Sequence, residues 1–162
     1  MALDRTNMVS LLDIGLLNNG SDSKIVELGN GFTEISEDWA PNSESTQYVN
    51  MKNASNTVKG YEFSMDAERE YLSDEVQTSI DELFRTFPTG SACETFYYRF
   101  LKSDVTTSGT YKAIKLPVTV APSSIGGAGG DTLTSTVSIA GNGDAVEGTI
   151  TVSTDGYTFT AN

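Results

Sequence analysis

The strongest constraint in this sequence is the run Phe96-Tyr97-Tyr98-Arg99-Phe100-Leu101. Side chains on a strand alternate between two faces, so Phe96, Tyr98 and Phe100 share one face and Tyr97, Arg99 and Leu101 the other. A strand with only one covered face has no use for bulky apolar groups on both. This one is therefore expected to be central, with a layer packed on each side. Other segments alternate more simply. Tyr61, Phe63 and Met65 interleave with Glu62, Ser64 and Asp66, and Val137 and Ile139 with Thr136 and Ser138. Ile114, Leu116, Val118 and Val120 interleave with residues that include Pro117. Proline cannot donate to a ladder, so Pro117 predicts an edge strand or a bulge. Asn142-Gly143 predicts a turn leading to a returning strand through Ile150 and Val152, and Asp155-Gly156 a tight hairpin ending in Tyr157 to Phe159. A weaker strand pair is read near Phe32–Ser36 and Ser45–Met51.

One segment has helical spacing. Val76, Ile80, Leu83, Phe84 and Phe87 recur on one helical face, while Glu75, Asp81, Glu82 and Arg85 fall opposite. Asp74 with Gln77 three residues later suits a capping box, and Pro88 and Gly90 end the segment. An amphipathic helix over residues 74–87, lying on a sheet, is expected. The fold class is thus mainly β with one flanking α-helix, a β-sandwich or half-barrel. The 162 residues suit a single domain over 1–162 with a core large enough to need no staple.

Composition removes whole classes of chemistry. Histidine is absent and cysteine occurs once. This excludes Ser-His-Asp and Cys-His devices, His-ligated zinc and an internal disulfide. The net charge of −12 opposes wrapping around nucleic acid, which takes a basic footprint. Acidity is concentrated in residues 1–90, at net −10 against −2 for residues 91–162. The stretch Met8–Leu17 is too short and too interrupted to span a bilayer, so no membrane partner is expected. It fits either a core element or an arm.

Candidate sites are few. The run GGAGG at 126–130 is followed by Asp131 and a strand pattern rather than a helix, which suits a flexible loop better than a phosphate cradle. Asp66, Glu68 and Glu70 read as a solvated strand face, and Cys93 as a small buried apolar residue. No residue set converges on catalysis, a cofactor or a metal. Residues 37–56 form a long polar stretch that nevertheless holds Trp39, Tyr48 and Met51. Trp39 either packs on its own body or anchors a protein interface.

The succession of acidic strand, amphipathic helix and aromatic strand leads into YKAIKLPVTVAPSSIGGAGGDTLTSTVSIAGNGDAVEGTITVS at 111–153. With that segment as its most specific part, the chain resembles the major tail (tail tube) proteins of long-tailed, siphovirus-like bacteriophages over about two-thirds of its length. The resemblance implies a non-enzymatic subunit without cofactor or metal, whose sheet closes into a larger barrel in rings, usually hexameric. Stacked rings would form a virion tail tube, assembled in the host cytoplasm, with DNA passing through the lumen without specific binding. The implied partners are further copies of the chain, a tape measure protein, and tail tip and tail terminator proteins. It also implies an N-terminal arm over about 1–20 and no extra immunoglobulin-like domain. The long loop at about 37–56 is expected to supply contacts between subunits or rings through Trp39, Pro41, Tyr48 and Met51. The alternatives are the inner tube of a contractile tail or related injection apparatus, and a monomeric β-sandwich binding module.

Overall fold

The computed structural model describes residues 2–154 and 156–162. In chain order the elements are β1 (Met8–Asp13), β2 (Ile25–Glu27), β3 (Pro41–Thr46), β4 (Ser55–Tyr61), β5 (Ser64–Glu70) and α1 (Glu75–Thr86). They continue with β6 (Glu94–Thr107), β7 (Thr110–Gly126), β8 (Thr134–Gly141), β9 (Val146–Ser153) and β10 (Gly156–Ala161). Among the described residues eight strands form one antiparallel sheet, and β3 and β4 form a separate two-stranded one. The fold is mainly β with one flanking helix, as the sequence predicts.

The long hairpin of β6 and β7 is the spine. Tyr98 and Phe100 of β6 face a core built with Val9, Leu11, Ala113 and Ile150. Tyr97 faces a second core with Leu12, Leu116, Val118, Val120, Val137 and Ile139. The doubly covered strand expected from residues 96–101 is therefore present, with Tyr97 wholly buried. Around the first core the sheet runs β10-β9-β7-β6-β1-β2. It curls until its two edges approach, and burial together with the Glu27 carboxylate of β2 pushes the Tyr157 phenol of β10 up.

β7 changes partner along its length. Thr110–Lys115 pair with β9, and Val118–Gly126 pair with β8, which in turn carries β5. β8 and β9 thus lie end to end along one strand and do not form the hairpin that Asn142-Gly143 predicts. Pro117 falls in the gap between the two partners, neither on an edge strand nor at a bulge. Its carbonyl accepts from Asn142 N–H at 2.8 Å, and no ladder bond is lost where it lacks a donor. The sequence signal was right that something interrupts the ladder; the interruption is a change of neighbour. The strand expected through Tyr61–Met65 also breaks, between β4 and β5, where Phe63 turns into the core. Asp155 of the expected terminal turn lies outside the described residues, while β9 and β10 pair on either side of it.

Met8–Asp13 is core rather than arm. Val9 through Asp13 are buried between β2 and β6. Buried Asp13 is satisfied by the N–H groups of Gly15 (3.1 Å) and Lys24 (2.9 Å) and by the Ser23 hydroxyl. One carboxylate thereby closes the whole 14–24 connection.

In α1, Val76, Ile80 and Leu83 are buried and Phe84 is half-buried against the same core. Asp74 caps the helix, accepting the Gln77 N–H at 3.0 Å. Phe87 corrects the expected helical face. The helix ends at Thr86, and Phe87 takes a left-handed conformation, φ 45°, that swings it out of register to 63% exposure. At the opposite end of the helix the inner face also holds polar Gln77, which is buried and accepts from Arg69 Nη1 at 3.4 Å. Arg69 is itself buried, bonded to the Asn30 carbonyl at 3.1 Å and paired with Asp74. That guanidinium holds the Asp74 carboxyl below its usual range.

Candidate assembly interface

The stretch 37–56, expected as an irregular loop, is largely a β-hairpin. β3 pairs with β4 from Pro41↔Tyr61 to Thr46↔Ser55, with an irregularity between Asn42 and Ser43. Only the tip at 47–54 is a turn, closed by Met51 N–H on the Tyr48 carbonyl at 3.0 Å and by Gln47 Nε2 on the Met51 carbonyl at 3.2 Å. The separate strands read near 32–36 and 45–51 are absent; Phe32 makes a single bridge to Arg69, and 32–36 is otherwise irregular. The pattern failed because both faces of the hairpin meet solvent, which leaves no period-two apolar signal.

Every residue of β3 is exposed, and all of β4 except half-buried Gly60. A lone two-stranded hairpin is marginal in water and has two open edges. This one nevertheless displays Tyr48 (67% exposed), Val49, Val58 and Tyr61 (66%). Pro41 opens β3 and is exposed, and Met51 is half-buried in the tip. Lys52 and Lys59 against Glu44 make residues 41–61 net positive within a chain of net −12.

Trp39 lies at the root, not on the displayed surface. Its ring packs on Phe63 at 4.7 Å, and Phe63 packs on Tyr97 at 5.6 Å. Its Nε1–H donates to Glu37 at 2.9 Å. Glu37 also accepts from the Tyr97 hydroxyl at 2.7 Å and from Arg99 at 3.1 Å. Burial and the Glu37 charge push the Tyr97 phenol far above its ordinary value. Glu37 and Arg99 carried no sequence signal beyond their charge, because their meeting depends on the register of distant strands.

The outer face of the β5–β8–β7 wing is a second candidate surface. Asp66, Glu68 and Glu70 point away from the core, beside Thr136 and Ser138 of β8 and, in the same rows, Ser124 and Ala121 of β7. These positions hold no Lys or Arg. The solvated-face reading of the three acids holds, and among the described residues no group of His, Cys, Asp or Glu is arranged to hold a metal ion. Cys93 is buried, as expected of a small core residue. The segment 127–133 forms no helix that would cradle a phosphate.

No family model and no curated protein matches the chain by sequence. Solved structures do match. A chain of the virion of a native gene transfer agent particle has TM-score 0.60 at 8% identity, covering 99% of this chain and 100% of that one. A chain of the C6-symmetric tail of an empty gene transfer agent particle has TM-score 0.60 at 9% identity, with coverage of 99% and 100%. A chain of the sheath/tube terminator of an extracellular contractile injection system, PVC, has TM-score 0.56 at 7% identity, with coverage of 91% and 96%. Over nearly its whole length the chain therefore has the fold of chains found in phage-like tail particles and contractile injection systems.

Proposed function

We propose that the chain is a non-enzymatic tail tube subunit whose copies form rings, sixfold as in the C6 tail, that stack into a hollow tube. The observation that carries this is the bare hairpin. A domain with two complete cores keeps a 21-residue appendage, Pro41–Tyr61, with no core of its own and four exposed apolar side chains. Such an element gains its burial from another molecule, and its positive charge suits a negative second copy. Pro41, Tyr48 and Met51 belong to that contact in this reading; Trp39 supports it from the root.

The wing supplies the channel. Six copies each adding three or four strands would close a barrel of roughly 18 to 24 strands, large enough for an open lumen. The face with Asp66, Glu68 and Glu70 suits the inside, because a carboxylate lining does not hold a polyanion by counterion release. DNA would pass without specific binding. The tape measure, tail tip and tail terminator proteins are the accompanying partners, the virion tail the site of action, and the host cytoplasm the place of assembly.

Negative-stain electron microscopy of the purified protein at high concentration tests this reading. Stacked rings with an open channel are expected. Protein that stays monomeric at millimolar concentration, even beside its tail-tip partners, overturns it. The injection-system likeness favours one second reading, the inner tube of a contractile apparatus, which co-assembly with a sheath protein would single out.

A further inference from the structure

We infer that Glu37 is a positioning residue that fixes the direction in which the β3–β4 hairpin leaves the body, and thereby sets how fast copies join. This rests on the reading of the hairpin as the arm between subunits.

The hairpin has little else to hold it. Its ladder descends from Pro41↔Tyr61 through Glu62 N–H on the Ala40 carbonyl (3.3 Å) to the reciprocal pair Asp38–Ser64 (3.0 and 2.8 Å). Glu37 is the next residue, and its side chain is only 5% exposed. The carboxylate gathers three donors, one from the lead-in to the hairpin (Trp39) and two from the central strand (Tyr97 and Arg99). The exit from the hairpin is tied to the same point, since Phe63 lies between the rings of Trp39 and Tyr97. Both ends of the arm are thus fastened to β6, the strand with a core on each face. A buried carboxylate with three donors resists rearrangement, because any displacement strands a charge or its partners.

Trp39 is the sole tryptophan, so its fluorescence reports on the root without a label. Trypsin at Lys59, inside β4, reports on opening of the arm. In the full-length Glu37→Gln protein we expect red-shifted Trp39 emission and faster cleavage at Lys59, with the body still folded and its thermal midpoint lowered by only a few degrees, the scale of weakening charge-assisted bonds that the Gln amide still satisfies in part. Tube elongation should slow about tenfold, the scale of losing one charge-assisted hydrogen bond. Unchanged emission and cleavage would show that Glu37 does not hold the root. Altered emission and cleavage with unchanged elongation would show that the arm's direction does not govern joining. If Glu37→Gln unfolds the body, Tyr97→Phe decides the matter by the same readouts, since it keeps the ring on Phe63 and removes only the hydroxyl. Normal elongation by a hairpin-shortened protein would instead sink the arm reading, while emission and cleavage still judge Glu37.

Discussion

Strand β6 and the β3–β4 hairpin are opposite solutions to the same problem. Glu94–Leu101 of β6 has a neighbour on both edges and a core on both faces over most of its length, with Tyr97, Tyr98 and Phe100 buried. Each strand of the hairpin has the other on one edge, an open second edge and solvent on both faces. Burying each large side chain contributes roughly 1.5–3 kcal/mol, so the body carries the free energy of folding and the hairpin almost none. The difference teaches that the free energy of folding is concentrated in the body, and that the hairpin, which adds almost none, is free to serve the assembly contact proposed for it.

The most severe test removes one side of the comparison. Replacing residues 42–60 by a short Gly-Ser turn should leave circular dichroism and the melting midpoint of the body intact, because loop length costs little. It should abolish tube elongation. Normal tubes would refute the hairpin's role, and a collapsed melting curve would show that the hairpin belongs to the core.

The next test attacks the body. Leu83 is almost wholly buried between α1 and the sheet. Leu83→Ala should cost about 2–5 kcal/mol in denaturant unfolding, through lost transfer energy and a residual cavity. A loss below about 1 kcal/mol would mean that the helix rests loosely on the sheet.

Legibility in the sequence follows the same division. The β6 segment was readable because burial on both faces leaves aromatic residues at consecutive positions. The helix was readable through Val76, Ile80 and Leu83, and its cap through Asp74 and Gln77. The hairpin was not, since an element without a core has no apolar period and its Ser, Asn and Thr residues look like loop. The acidic outer face of the wing is legible only in outline: the alternation at 66–70 shows in the sequence, but its neighbours on β8 and β7 depend on a partner switch at Pro117. Glu37 with Arg99, and Arg69 with Asp74 and Gln77, are tertiary meetings that no local pattern encodes. Phe87 misled because helical spacing continues one residue past the point where the helix stops.

A smaller effect is expected at the helix cap. The Arg69 guanidinium, and then the backbone N–H of Gln77, hold the Asp74 carboxyl below its ordinary value. A depressed carboxyl contributes stability that is present above its unfolded pKa and lost as pH falls through the lower folded value. Asp74→Ala should therefore cost about 1 kcal/mol or more near neutrality. The gap between variant and wild type should close in urea titrations below about pH 4. A gap that persists at pH 2 would show that the cap acts through shape rather than charge.

The smallest effect sharpens the boundary between the two parts. Phe87 belongs to the body by position yet is 63% exposed, with a left-handed backbone at φ 45°. A residue with a Cβ is strained there, by about 1–2 kcal/mol, and glycine is the usual helix terminator for that reason. Phe87→Gly relieves the strain and forfeits only the minor part of the ring that is covered. The monomer should gain about 0.5 kcal/mol, read as a small rise in the urea midpoint at unchanged slope. A bulky exposed aromatic kept at a strained position, where glycine would be more stable, points to use outside the monomer. The stabilised variant should accordingly elongate more slowly than wild type, as a hairpin-tip variant such as Tyr48→Ser would. Faster or equal elongation would place Phe87 outside the assembly surface and leave the hairpin as the sole carrier of the exposed aromatic contact.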